Sequence, residues 1–253
     1  RGRRWLFRRR GGKELLVAAR VTIESLGSAV AQALGARLVS LVLYGSAARG
    51  TSVPERSDVN TLLICDAVDD ALFAAVAPAL KEWRRAGHPA PLIFTEREWR
   101  SSADVFAIEY EDMREHHRVL AGRDPWSGIR VERSDVRRQL EGELMGKLVR
   151  LRQAYAALAD DPKQLARAVV GSAAGFLTML RAVLRLAGRP APRVPEELVR
   201  SAAAVIGFPA EGLTPLVRHA GGGPALRLAR RDPLVPAYLA AVARTAAYVN
   251  DLA

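Results

Sequence analysis

The sequence predicts an α+β protein: a small mixed sheet with helices, followed by an all-α helical bundle. Three observations carry this. Short runs rich in Val, Leu and Ile, the composition of buried strands, are confined to the first half. Segments with apolar residues three and four apart separate those runs, and beyond the turn-rich stretch Asp124-Pro125 to Ser127-Gly128 they take over. At 253 residues and 49% hydrophobic content, the chain has enough apolar surface for one large or two small cores.

Each element has its own warrant. Leu15, Leu16, Ala19, Val21, Ile23, Leu26, Val30 and Leu34 recur mostly three or four apart, so residues 12 to 34 are expected to form an amphipathic helix packed on a sheet. RLVSLVLY (37 to 44) and VNTLLIC (59 to 65) read as buried strands, and Leu72, Val76, Leu80 and Trp83 mark a helix over 69 to 85. A third strand is expected at PLIFT (91 to 95), after the turn at Gly87 and Pro89, then a short helix at 96 to 102. VFAIEY (105 to 110) reads either as a fourth strand or as an irregular lead-in to a helix carrying His116-His117. In the second half Leu140, Leu144, Leu148, Leu151, Tyr155 and Leu158 form one stripe, with Ser134 or Asp135 as N-cap. Further helices follow over 163 to 186, 195 to 206 and 234 to 252. The domains expected are a basic arm at 1 to 12, an α+β domain at 13 to 125 and a helical bundle at 126 to 253.

Composition narrows the function. The single cysteine, Cys65, sits in an apolar strand, excludes an intramolecular disulfide and fits a reducing cytoplasm; it reads as a packing residue. Apolar stretches such as ALFAAVAPAL stop short of the roughly 18 residues a span needs, so no membrane partner is expected. Six arginines of RGRRWLFRRR supply most of the net charge of +11, leaving +5 on the remainder. Such an arm can bind nucleic acid or anionic lipid. The body shows no stacking or recognition-helix signature, so nucleic acid is not the expected partner.

The chemistry concentrates between Leu41 and Ile64. An apolar strand ends in Gly45-Ser46 and, after 11 intervening residues, Asp58-Val59-Asn60 opens the next. A glycine turn lets backbone N–H groups approach phosphate oxygens, and residues 58 and 60 on one strand point to one face. Two acids there would hold a divalent ion; the second is Asn60, a neutral amide.

These residues resemble the nucleotidyltransferase superfamily that includes DNA polymerase beta and the aminoglycoside nucleotidyltransferases. Its signature is an apolar residue, Gly, Gly or Ser, about ten residues, then Asp-apolar-Asp/Glu-apolar; here it is Tyr44-Gly45-Ser46 and Asp58-Val59-Asn60-Thr61, departing at the last two positions. Residues 38 to 125, with AIEYEDMREHHRVLAGRDP, are similar to a bacterial group of stand-alone nucleotidyltransferase-domain proteins with a helical second half. The resemblance implies transfer of a nucleoside monophosphate from an NTP, ATP first among candidates, to a hydroxyl acceptor with magnesium as cofactor. It implies Gly45, Ser46, Arg49 and Ser57 at the nucleotide, and Asp58, Asn60 and a third acid at the metal.

Glu109, between Ile108 and Tyr110, fits that third place best, as ligand or base, with Glu111 and Asp112 as substitutes. Asp66 ends the strand that follows Asp58, Asp104 only opens VFAIEY, and PLIFT carries no acid. Lys147, Arg150 and Arg152 read as a solvated helix face, with Lys147 reaching a phosphate or all three lining an acceptor cleft as the alternatives; the adjacent His116 and His117 diverge too far on a helix for one zinc. Gly221-Gly222-Gly223 has no Lys-Ser/Thr after it and is not a phosphate loop. The alternative reading is a catalytically inactive module of the same fold with a regulatory, toxin–antitoxin or partner-binding role. Acceptor, base specificity and oligomeric state are not encoded in any of these motifs.

Overall fold

A computed structural model describes residues 22 to 53 and 57 to 252, so the basic arm and the first part of the expected opening helix lie outside the described residues. Helix α1 (Ile23–Leu34) begins where Thr22 and Ser25 satisfy each other's backbone N–H groups in a capping box. Strand β1 (Leu38–Tyr44) runs into Gly45 and a single helical turn, α2 (Ser46–Arg49). Strand β2 (Asn60–Cys65) follows, then α3 (Asp70–Arg85), capped by Asp69. Next come β3 (Leu92–Thr95), α4 (Glu96–Ser101), α5 (Ala107–Glu115) and β4 (His117–Gly122).

The sheet order is β3-β2-β1-β4, with β1 antiparallel to both neighbours and β2 parallel to β3. Leu41, Leu63 and Cys65 face α1 and α3, while Val42, Leu62 and Ile64 face Trp99 of α4 and Tyr110 and Met113 of α5. Covering both faces explains why β1 and β2 are almost continuously apolar although their pairing is antiparallel. Cys65 is fully buried, and burial pushes its thiol up to about 11, in keeping with a packing role.

Two expectations are corrected here. Of the two readings of VFAIEY the lead-in to a helix holds, since α5 opens at Ala107, but that helix stops at Glu115, so it does not carry His116-His117, and the fourth strand is His117–Gly122. The reason is pairing. Without β4, β1 would leave one edge of its ladder open; Tyr44 opposes His117 and Ser40 opposes Gly122 in closing it. Residue 58 also precedes β2, which starts at Asn60, so Asp58 and Asn60 are not two positions of one regular strand.

The second half holds α6 (Arg133–Leu158), α7 (Pro162–Leu186), α8 (Pro195–Ile206), α9 (Thr214–Ala220) and α10 (Leu234–Asn250). The N-cap of α6 is Glu132; Asp135 lies in its first turn. Helix α7 is the centre of the bundle: Phe176, Leu180, Val183 and Leu184 are buried among residues of α6, α8 and α10. Its length and composition are those of a membrane-crossing helix, longer in apolar terms than the runs noted from the sequence, yet most of that stretch is buried inside the bundle.

Helix α5 joins the halves. Tyr110 and Met113 pack under the sheet, while Ala107 and Ile108 belong to the bundle core. Gln139 of α6 fixes this seam, its amide oxygen accepting from the Ile108 N–H at 2.8 Å and its NH₂ donating to Glu109 at 2.8 Å. A chain ended after Asp124 is therefore expected to expose Ala107 and Ile108, bind a hydrophobic dye and aggregate. Dye fluorescence and light scattering check this; a monomeric, dye-silent fragment would contradict it.

Candidate functional site

The turn after β1 is built from Gly45, whose φ of +77° suits glycine alone. A Cβ there would also lie 3.2 Å from the Asn60 amide nitrogen, so the neighbouring strand crowds the turn. The first N–H groups of α2 precede its first intrahelical bond, from the Arg49 N–H to the Gly45 carbonyl, and have no side-chain cap. Opposite them, helix α7 and the start of α8 close a cleft of about 540 Å³. Every sequence-predicted site residue lines it: Gly45, Ser46, Arg49, Ser57, Asp58, Asn60 and Glu109.

Their environments differ. Asp58 is exposed and makes no hydrogen bond or salt bridge among the described residues. Ser57 turns inward, its hydroxyl accepting from the Val53 N–H at 2.9 Å and closing the loop that leads to Asp58. Glu109 stands in the first turn of α5 rather than on a strand, held by Gln139. Burial, and next the charge of Glu109, raise the Tyr44 phenol pKa, which places that carboxylate near the end of β1. Of the substitutes, Glu111 pairs with Arg114 at 3.3 Å.

Asp112 is the buried centre of the site's wall. One carboxylate oxygen accepts from Arg49 at 2.7 Å and the other from Arg185 of α7 at 3.3 Å. Arg185 also binds Glu115, its Nε at 2.9 Å. Arg49 thus reaches the cleft already neutralised by Asp112, although its Nε keeps no partner. Beside it lies Arg181, 4% exposed and lining the cleft, with no hydrogen bond among the described residues. Burial, and then the neighbouring Arg49, push its guanidinium down to about 10, still cationic at neutral pH.

Sequence reasoning missed Arg181, Arg185 and Gln139. Arg181 and Arg185 are four apart on an apolar helix, a position where arginine requires a reason. Lys147 also departs from expectation: it is buried, donates to the Ser172 carbonyl at 2.8 Å, and has its pKa lowered by that burial. Gly175 leaves the space, since a Cβ there would sit 3.4 Å from the Lys147 ammonium.

Magnesium fits this donor set only in part. Asp58, Asn60 and Glu109 offer hard oxygens, but no group of three acids or histidines is assembled among the described residues. The arrangement suits one ion completed by substrate phosphates and water, not a preformed two-ion cluster.

The fold and the cleft define the chain as a nucleotidyltransferase-fold protein with a helical second half. Among solved structures it is similar to the spectinomycin adenyltransferase AAD(9) from Enterococcus faecialis, in a structure that contains ATP and spectinomycin. The TM-score is 0.57 at 12% identity, over 88% of this chain and 96% of that one, so the likeness runs through both halves and is one of fold. Neither protein-family models nor curated proteins give a match to the sequence.

Two predictions follow from the wall. Asp112→Ala leaves Arg49 buried without its acid, while Arg185 keeps Glu115, and is expected to cost about 3–5 kcal/mol, read as a lower urea midpoint. His116 is buried and accepts from Arg193 at 3.0 Å; burial holds its pKa below the ordinary 6.5. Its neutral form is the folded one, so the unfolded chain binds the proton first and stability falls as pH drops below 6.5. The melting temperature of His116→Gln, which keeps an acceptor, should fall less between pH 7 and 5.5 than that of the unaltered protein; parallel curves would refute this.

Proposed function

We propose that the protein is a nucleotidyltransferase that moves a nucleoside monophosphate from ATP to a hydroxyl group of an acceptor molecule. The observation that carries the reading is the pairing of two cleft-facing guanidinium groups from opposite halves, Arg49 and Arg181, each with an unpartnered buried N–H beside the Gly45-Ser46 turn. Arg49 is balanced by Asp112, but Arg181 is a buried cation with no hydrogen bond or salt bridge among the described residues, which is costly, and a triphosphate would supply the missing anion. The similar fold of an adenyltransferase structure that contains ATP supports the same assignment.

In this reading the backbone of Gly45 and Ser46 and the two arginines hold the triphosphate, with Ser57 shaping the loop. Asp58 would hold magnesium, assisted by the Asn60 amide oxygen, and the ion would supply neutralisation of charge developing on the phosphate oxygens. Glu109 faces the acceptor hydroxyl and takes its proton. The acceptor oxygen forms a bond to the α-phosphorus, the bond from that phosphorus to the bridging oxygen breaks, and pyrophosphate leaves with the electron pair.

A second reading, an inactive nucleotide-binding module with a regulatory or partner-binding role, draws on Asn60 and on the lack of an assembled acid cluster among the described residues. Calorimetry with each NTP, with and without magnesium, followed by a pyrophosphate-release assay, separates the two. Asp58→Ala should weaken magnesium-dependent ATP binding at least tenfold while leaving the melting temperature within a few degrees, because the residue is exposed. Asn60→Asp should tighten magnesium binding. Arg181→Met should weaken ATP binding with or without magnesium; unchanged affinity in that variant would remove the phosphate role.

A further inference from the structure

Helix α7 continues past the nucleotide cleft toward its own N-terminus, and there it floors a second cavity of about 810 Å³. The two cavities share Val170 and His219, so they adjoin. Ala166, Val170, Leu226 and Leu228 make the second one largely apolar. Its charges are not balanced. Lys163, Arg167 and Arg227 line it and form no salt bridge among the described residues. Of its two acids, Asp160 is offset by Arg230 at 2.7 Å, while Asp161 caps α7 by accepting from the Gln164 N–H at 3.0 Å and keeps its charge, so three cations face one carboxylate.

The order along α7 sets a direction. Lys163 and Arg167 are one turn apart, Val170 lies nearly another turn on, and Ala173, Ala174 and Arg181 continue into the nucleotide cleft. At 1.5 Å per residue the basic end stands roughly 10 Å from Val170. We infer that this cavity is the acceptor pocket, and that the acceptor is an anionic amphiphile: an acidic head at Lys163 and Arg167, an apolar body over Ala166 and Leu226, and a hydroxyl delivered past Val170 to the nucleotide. The inference rests on the nucleotidyl-transfer reading for the chemistry at that hydroxyl, whose oxygen replaces pyrophosphate on the α-phosphorus as written above. A polycationic acceptor would meet three cations against the single uncompensated charge of Asp161, a net positive lining that like-charge repulsion disfavours.

The test uses 10-hydroxydecanoate as probe, with 1,10-decanediol as its neutral counterpart and spectinomycin as a cationic one, titrated calorimetrically into the full chain without nucleotide. The acid should bind at least tenfold more tightly than the diol. The double variant Lys163→Glu/Arg167→Glu, at two exposed positions, should reduce acid binding at least tenfold while its ATP affinity and melting temperature stay unchanged. Equal binding of acid and diol, indifference to the charge reversal, or tighter binding of spectinomycin would each overturn the inference. Pyrophosphate release on mixing with ATP and magnesium is read separately. Acid binding without release would keep the pocket's ligand class and sink the transfer reading, whereas release driven by spectinomycin with no acid binding would do the reverse.

Discussion

The buried carboxylate of Asp112 is the constraint on which the rest of the site depends. It sits on α5, beneath the sheet, and holds Arg49 from the turn after β1 and Arg185 from the central helix of the bundle. An ion cluster of this kind adds little net stability over an apolar replacement, because desolvating three charges offsets their attraction. What it fixes is position. A helical turn of four residues has little stability of its own, so the anchoring of Arg49 to Asp112 is what settles α2 against α5, and Arg185 ties the same carboxylate to the helical half. The halves consequently share one cleft instead of meeting as two loosely docked bodies, and α5 is held at both ends, by Gln139 at its first turn and by Arg185 and Arg193 at its last.

That arrangement also explains the charge of the cleft. Asp112 neutralises one guanidinium's worth of charge among Arg49, Arg181 and Arg185, and Glu115, half exposed, serves mainly Arg185. Arg181 is left over. It is buried in an apolar helix, keeps an unpartnered Nε and lines the same cleft as the Gly45-Ser46 turn. Groups that are costly in the empty protein and repaid by a ligand mark binding sites more often than structural ones. Lys147, by contrast, has found its partner in the Ser172 carbonyl and belongs to the bundle's own polar seam, where Ser172 in turn meets the Tyr238 hydroxyl at 2.9 Å.

Much of the fold was legible because it rests on local periodicity. The apolar runs at β1, β2 and β3, the helical spacing of α3 and the long stripe of α6 all follow from residues within one or two turns of one another. The strand β4 was not legible. HRVLAG is neither strongly alternating nor bounded by turn signals at its start, and it becomes a strand because β1 offers an edge to pair with. What the sequence left open at Glu109, strand or helix entry, is settled by a distant residue: Gln139 accepts from the Ile108 N–H and donates to the Glu109 carboxylate at the start of α5.

By itself the sequence determined the Gly45-Ser46 turn, the placement of Asp58 and Asn60 beside it, the α+β first half and the helical second half, since each depends on short-range spacing and on glycine's access to positive φ. Only the tertiary structure decided which cations meet the cleft. Whether an arginine is solvated or buried without a partner depends on what packs around it from distant segments, and nothing in the spacing of Arg49, Arg181 and Asp112 reveals that they share one wall. The same holds for the apolar basin beside the cleft. Its floor is α7 and its lip is the segment from Ala225 to Leu228, brought together by the packing of α7 against α9 and not by any motif.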